Sequence, residues 1–115
     1  MMTTRYNLVC PQGSTFYQKI VYKIDNVVVD LTAYDAKMHV REKHSSADAI
    51  VYLSTFGYNP TIILGDEGTV EIMIDATTTA AFYPKEYVYD LEIIDGATVS
   101  RLVEGKFIVT PEVTR

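Results

Sequence analysis

Apolar and polar residues alternate with a period of two in at least four separate stretches, a pattern that turns one face of an extended chain toward a core and the other toward water. In Ser14 to Ile24, the residues Phe16, Ile20, Tyr22 and Ile24 share one parity, while Tyr17, Lys19 and Lys23 fall on the other. Ala36, Met38 and Val40 alternate with Lys37, His39 and Arg41, and Val70, Ile72 and Ile74 with Glu71 and Met73. Tyr87, Tyr89, Leu91 and Ile93 alternate with Val88, Asp90, Glu92 and Ile94. Such a chain is constrained to strands that each bury one side.

Composition agrees, since Val, Thr, Ile, Tyr and Phe supply 49 of 115 residues and these types suit a pleated surface. Shorter β-rich pieces are Tyr6 to Cys10, Val27 to Val29, Ile50 to Ser54, Thr61 to Leu64, Val99 to Val103 and Lys106 to Thr110. Turn chemistry separates them at Asp25-Asn26, Gly65-Asp66-Glu67-Gly68, Asp95-Gly96 and Glu104-Gly105. Leu31 to Tyr34 and Asp75 to Phe82 break the alternation and read as crossings between sheets, the second a helical turn capped by Asp75. Many short strands at close spacing predict one all-β domain over residues 1–115, an antiparallel sandwich or barrel of seven or more strands with short helical turns. The expected core is Phe16, Ile20, Tyr22, Met38, Val40, Ile72, Ile74, Tyr89, Leu91, Ile93 and Val109.

Charge limits the partners. A formal charge of −5 supplies no basic face for phosphates, so nucleic acid is not an expected partner. No apolar run reaches the roughly 18 to 20 residues of a membrane span, and Met1 to Arg5 has no signal-peptide character, so the chain is expected to be made in the cytosol. The lone Cys10 can form no internal disulfide and reads as a small buried hydrophobe.

Candidate chemistry is sparse. His39 and His44 are expected on the surface without the further ligand a metal would need. Asp90 and Glu92 share one strand face at roughly 6 to 7 Å, a spacing that suggests glycoside hydrolysis. The following strand offers another reading. A two-residue loop at Asp95-Gly96 sets Asp90 opposite Arg101, and a four-residue loop sets Glu92 opposite Arg101 with Leu91 facing Leu102. Either way a cross-strand ion pair accounts for the carboxylates, so no enzyme, no cofactor and no metal are expected. Gly65 to Gly68 lacks the Lys-Ser/Thr of a phosphate loop and reads as a hairpin turn. No serine stands in a G-x-S-x-G context. Nine tyrosines leave recognition open; Tyr22, Tyr87 and Tyr89 read as core, and Tyr58, in the loop Phe56 to Pro60, as a partner contact.

The segments Tyr87-Val-Tyr-Asp-Leu-Glu-Ile-Ile94 and Arg101-Leu-Val-Glu-Gly-Lys-Phe-Ile-Val-Thr-Pro-Glu-Val-Thr-Arg115 resemble a group of small proteins of tailed bacteriophages. Gly13 to Phe16 and Asp30-Leu-Thr-Ala-Tyr-Asp-Ala-Lys-Met-His-Val-Arg41 add weaker echoes. The resemblance implies an Ig-like β-sandwich and a virion structural protein of the tail, baseplate or fibre-attachment region. Its expected partners are other virion proteins, with homo-oligomerisation inside the particle. Phe56, Tyr58, Val113 and Arg115 are the candidate assembly contacts. The alternatives are a free-standing Ig-like ligand-binding module, a capsid decoration protein, and a carbohydrate-active domain using Asp90 and Glu92.

Overall fold

The computed structural model describes residues 4–113 and is all-β apart from one helical turn. The strands are β1 (Thr4–Arg5), β2 (Leu8–Pro11), β3 (Phe16–Val21), β4 (Lys23–Ile24), β5 (Val27–Val28), β6 (Asp35–Arg41), β7 (Val51–Ser54), β8 (Ile62–Leu64), β9 (Thr69–Ile74), β10 (Glu86–Asp95) and β11 (Thr98–Thr110), with α1 (Ala76–Ala80) between β9 and β10. The larger sheet runs β1-β11-β10-β6-β7, with β2 also on β11; the smaller runs β3-β9-β8, and β4-β5 form a separate hairpin.

β1 and β2 behave as one interrupted strand. Thr4 faces Val103 and Leu8 faces Phe107, the same offset, and both pair parallel to β11 where an antiparallel neighbour was expected. The interruption falls at Tyr6 and Asn7, where the Asn7 side-chain oxygen accepts from the Lys106 amide at 3.0 Å in place of a backbone carbonyl. Opposite it lies Gly105, where an added Cβ would stand 2.3 Å from the Tyr6 carbonyl oxygen. The expected turn at Glu104-Gly105 is therefore not a turn: glycine is there because another backbone crosses against it. Gly105→Ala is expected to cost about 1 to 3 kcal/mol, since backbone rather than a side-chain tip must yield. Chemical denaturation would measure this, and an unshifted midpoint would show that the crossover gives way freely.

The β10–β11 hairpin keeps the second expected register, with Glu92 opposite Arg101, near its turn and departs from it beyond. Asp95 faces Thr98, leaving Gly96 (φ +59°) and Ala97 as the loop, one residue later than Asp95-Gly96. Glu92 faces Arg101, but Leu91 faces Val103, so Leu102 is an extra residue in a bulge. The slip lets Leu102 and Val103 both turn inward. Elsewhere the turns stand where the residues place them. Asp25 and Asn26, at φ +50° and +65°, form the two-residue hairpin turn of β4–β5, and Gly65 to Gly68 joins β8 to β9. The Asp75 carboxylate caps α1 by accepting the Thr78 amide at 2.8 Å. Hydrogen bonding from Thr78, first through its side chain and then through this amide, holds the Asp75 carboxyl below the usual range.

The two sheets share one buried core, to which the larger contributes Met38, Val40, Leu91, Ile93 and Phe107 and the smaller Phe16, Ile62, Val70 and Ile72. Of the expected core residues, Ile20 and Tyr22 are only half-buried, at the margin, and the other nine are buried. Ile24, placed on the same inward parity, is exposed, because the chain breaks after Val21 and enters the separate β4–β5 hairpin.

Candidate functional site

Strand polarity decides what the edges offer. Tyr22 donates its amide to the Gly68 carbonyl at 2.7 Å, which makes Tyr22/Gly68 a hydrogen-bonded pair of the β3–β9 ladder. Such pairs alternate in an antiparallel ladder, so Phe16, Gln18 and Ile20 bond to β9, and Tyr17, Lys19 and Val21 turn their amides and carbonyls away from it. The β8 side agrees: Met73 bonds Thr61 and Gly65 bonds Thr69, leaving the even-numbered residues of β9 to β3. Among the described residues β3 pairs with β9 alone, so its outer edge is open.

Hydrogen bonds join the two sheets on one side of the molecule, and among the described residues none joins β1 to β3 on the other. Near β7 and β8, the Thr61 amide donates to the Ser54 carbonyl at 3.1 Å and the Ser54 amide to the Thr61 hydroxyl at 2.9 Å, stitching the sheets together. Between the β3 edge and β1 lies a groove of about 260 Å³ lined by Thr4, Tyr6, Gln18, Ile20, Tyr22 and Val103 among others. Among the described residues the Tyr22 hydroxyl is buried without a hydrogen-bond partner. Tyr22→Phe should therefore leave stability unchanged or raise it by up to about 1 kcal/mol, because a desolvated hydroxyl with no partner is a cost. A lower thermal midpoint would show that this hydroxyl makes a bond in solution.

Tyr87 and Tyr89, read as core, are buried and do bond to backbone. The Tyr87 hydroxyl donates to the Tyr83 carbonyl at 2.6 Å and the Tyr89 hydroxyl to the Tyr6 carbonyl at 2.5 Å. Burial raises both phenols above the ordinary tyrosine range, that of Tyr89 far above it. Cys10 is fully buried and its thiol is pushed up to about 11, which leaves it protonated and unreactive at neutral pH.

The outer face of the larger sheet carries the polar candidates. Asp90 faces His39 across β6, and Glu92 faces Lys37. Arg101 lies opposite Glu92, yet its Nε reaches Asp90 Oδ2 at 3.4 Å, and its other nitrogens include a contact to Glu104 at 3.4 Å. Asp90 and Glu104 thus pair with the arginine, while Glu92 is its cross-strand neighbour in the ladder. His39 and His44 line one shallow depression of about 260 Å³ with Arg41, Asp90, Glu92, Arg101 and Glu104, a meeting that spacing along the chain did not reveal. The His39 ring abuts Tyr52 edge-on at 4.7 Å, and Arg41 lies 3.2 Å from its Nδ1. Burial, then the charges of Arg41 and Lys37, hold the His39 pKa below the ordinary value. Among the described residues no three His, Cys, Asp or Glu side chains gather in a way that could hold a metal ion.

The expected assembly contacts lie on the surface. Phe56 is exposed and Tyr58 fully so, on the loop carrying the chain from the larger sheet to the smaller. Val113 is exposed too, although its neighbour Glu112 is tied down by its amide donating to the Gln12 side chain at 3.1 Å. Arg115 lies outside the described residues. Periodicity missed the apolar surface of the β4–β5 hairpin, where Ile24, Val27 and Val28 are exposed. It also missed the outer face of the smaller sheet, with Tyr17, Val21, Ile63 and Met73 exposed. Among the described residues no helix is long and apolar enough to cross a membrane. No protein-family model matches the chain, and no curated protein is significantly similar to it.

Proposed function

We propose that the chain is a structural subunit of a tailed-bacteriophage particle, an Ig-like β-sandwich of the tail, baseplate or fibre-attachment region that works by protein–protein assembly and carries out no catalysis. The observation that carries this reading is the open side of the molecule. An unpaired strand edge and an apolar groove lie there, and a hairpin elsewhere exposes three aliphatic side chains. Surfaces of this kind are what assembled subunits bury against one another. The residues with the densest phage resemblance, Tyr87 to Ile94 and Arg101 onward, form the adjacent strands β10 and β11 at the heart of the larger sheet. The weaker echo from Asp30 to Arg41 covers the turn before β6 and β6 itself.

Mass spectrometry of purified particles from the encoding phage should find the chain at stoichiometric copy number, and stripping tails from capsids should leave it with the tail fraction. Recovery only from infected-cell lysate would overturn the structural role, and recovery with capsids would favour a decoration protein. A second reading, a ligand-binding module, draws on the polar depression around His39 and Asp90. Titration of the purified protein with a panel of glycans and small acids, followed by heteronuclear NMR, would favour it if shifts clustered on Arg41, Asp90 and Arg101.

A further inference from the structure

We propose that two copies of this chain join β3 to β3 across a two-fold axis, making one continuous sheet in the order β8-β9-β3-β3-β9-β8 with Gln18 at the axis. The proposal deepens the assembly reading and rests on it for the setting, since it names a second copy of the chain as the first partner.

The edge itself selects the arrangement. The backbone groups of Tyr17, Lys19 and Val21 point outward, so a neighbouring strand must meet these odd-numbered residues with its own outward groups. A two-fold axis makes the contact self-complementary and the strands antiparallel. Every register centred on a residue of β3 then keeps the buried faces on the same side, and those centred on Gln18 or Lys19 overlap the most of the strand. Centring the axis on Lys19 sets two ammonium groups against each other, which is unfavourable directly across a ladder. Centring it on Ile20 leaves Tyr17 opposite Lys23, beyond the break in the strand after Val21. Centring it on Gln18 pairs Tyr17 with Lys19 of the other copy, twice by symmetry, sets Phe16 opposite Ile20, and leaves only Val21 beyond the paired stretch, opposite Thr15.

Charge complementarity favours the same register. The Tyr17 hydroxyl donates to Glu71 Oε1 at 2.6 Å, so each copy presents a ring backed by a carboxylate. That bond, with the nearby charge of Glu71, raises the Tyr17 pKa. Among the described residues the Lys19 ammonium makes no ion pair, although Glu71 stands directly across the ladder from it. In the Gln18-centred dimer each lysine lies beside the tyrosine and glutamate of the other copy, an arrangement that offers cation–π and ionic attraction together. A lysine in the middle of an exposed edge ordinarily discourages pairing. Here it excludes the Lys19-centred register and supports the one displaced by a residue. The added strand would lie beside β3 over the mouth of the groove toward Tyr6 and Val103.

The test is sedimentation equilibrium of the purified full chain together with cysteine cross-linking. Gln18 would form a non-hydrogen-bonded pair with its own copy at a Cα separation of about 4.5 Å, within disulfide range. Gln18→Cys should therefore oxidise to a covalent dimer, while Lys19→Cys should not, and the fully buried Cys10 serves as the silent control. Lys19→Glu should weaken the dimer about tenfold or more, because two attractive pairs become repulsive, and Lys19→Glu with Glu71→Lys should restore it. Thermal midpoints of the variants separate loss of the dimer from loss of the fold. A chain that stays monomeric at about 1 mM, or cross-links through Lys19→Cys instead of Gln18→Cys, would overturn the proposal. So would an edge that becomes protected only when a different particle protein is added. A dimer absent from particles would overturn the virion assignment and leave this inference standing; a stoichiometric virion component that never self-associates would do the reverse.

Discussion

Phe107→Ala is expected to destabilise the domain by about 3 to 5 kcal/mol, a large share of what a domain this size possesses. Phe107 is fully buried on β11, in the larger sheet. Its ring meets Phe16, on the smaller sheet, edge-on at 5.4 Å, and Phe82, just after α1, at 6.2 Å. The three rings join the two sheets and the helical turn through a single side chain, and edge-to-face contacts add to the area term. Truncation leaves a void bounded by three separately anchored segments, which limits how far the site can collapse. Urea denaturation followed by tyrosine fluorescence and circular dichroism would measure the loss, and a loss under about 1 kcal/mol would mean that the sheets are held mainly elsewhere.

Leu91→Ala should cost about 2 to 5 kcal/mol, and Glu92→Ala less than about 0.5 kcal/mol. Leu91 is fully buried between Met38 and Val103, while Glu92 sits on the outer face beside Lys37 and Arg101. The two positions are neighbours in sequence, so the pair of variants reads the facing of β10 directly. The opposite order of effects would place the strand one residue out of register, with its apolar set in water. Because β10 lies in the middle of the larger sheet, its facing fixes that of β6 and β11 as well.

The alternation of β6, β9 and β10 was legible because each has one face in the core and the other in solvent, so parity alone assigns every side chain. The hairpin turns were legible for a local reason: Asp25-Asn26 and Gly65 to Gly68 carry the residue types that positive φ demands. β11 was not. Its sequence reads as two strands because Gly105 looks like a turn residue, whereas the glycine answers to Tyr6, a residue 99 positions earlier in the chain. The bulge at Leu102 is hidden in the same way, since it shows only as a mismatch against β10. Periodicity likewise places Ile24 inside, and only the pairing of Lys23 and Ile24 with Val28 and Val27 shows that this hairpin has left the sheet. For the candidate surfaces, exposure of Phe56, Tyr58 and Val113 followed from loop and tail position. The depression shared by His39, His44 and Arg101 and the open edge of β3 needed strand order, which no single segment encodes.

The parallel seating of β1 and β2 on β11 has a consequence for synthesis. Lys106 bonds to Asn7 across 99 residues, and Leu8 lies against Phe107, so the cover for Leu8 and Cys10 is made last. A chain emerging from the ribosome can form β3, β8, β9 and the β6–β7 pair early, but its first core residues stay bare until the thirteen residues of β11 have followed. Closing so distant a contact makes folding slow for the chain's length, on the order of milliseconds to seconds. Throughout that interval the nascent protein offers both an uncovered apolar segment and the unpaired rim of β3, and a second nascent chain nearby would meet that rim before the first has finished folding.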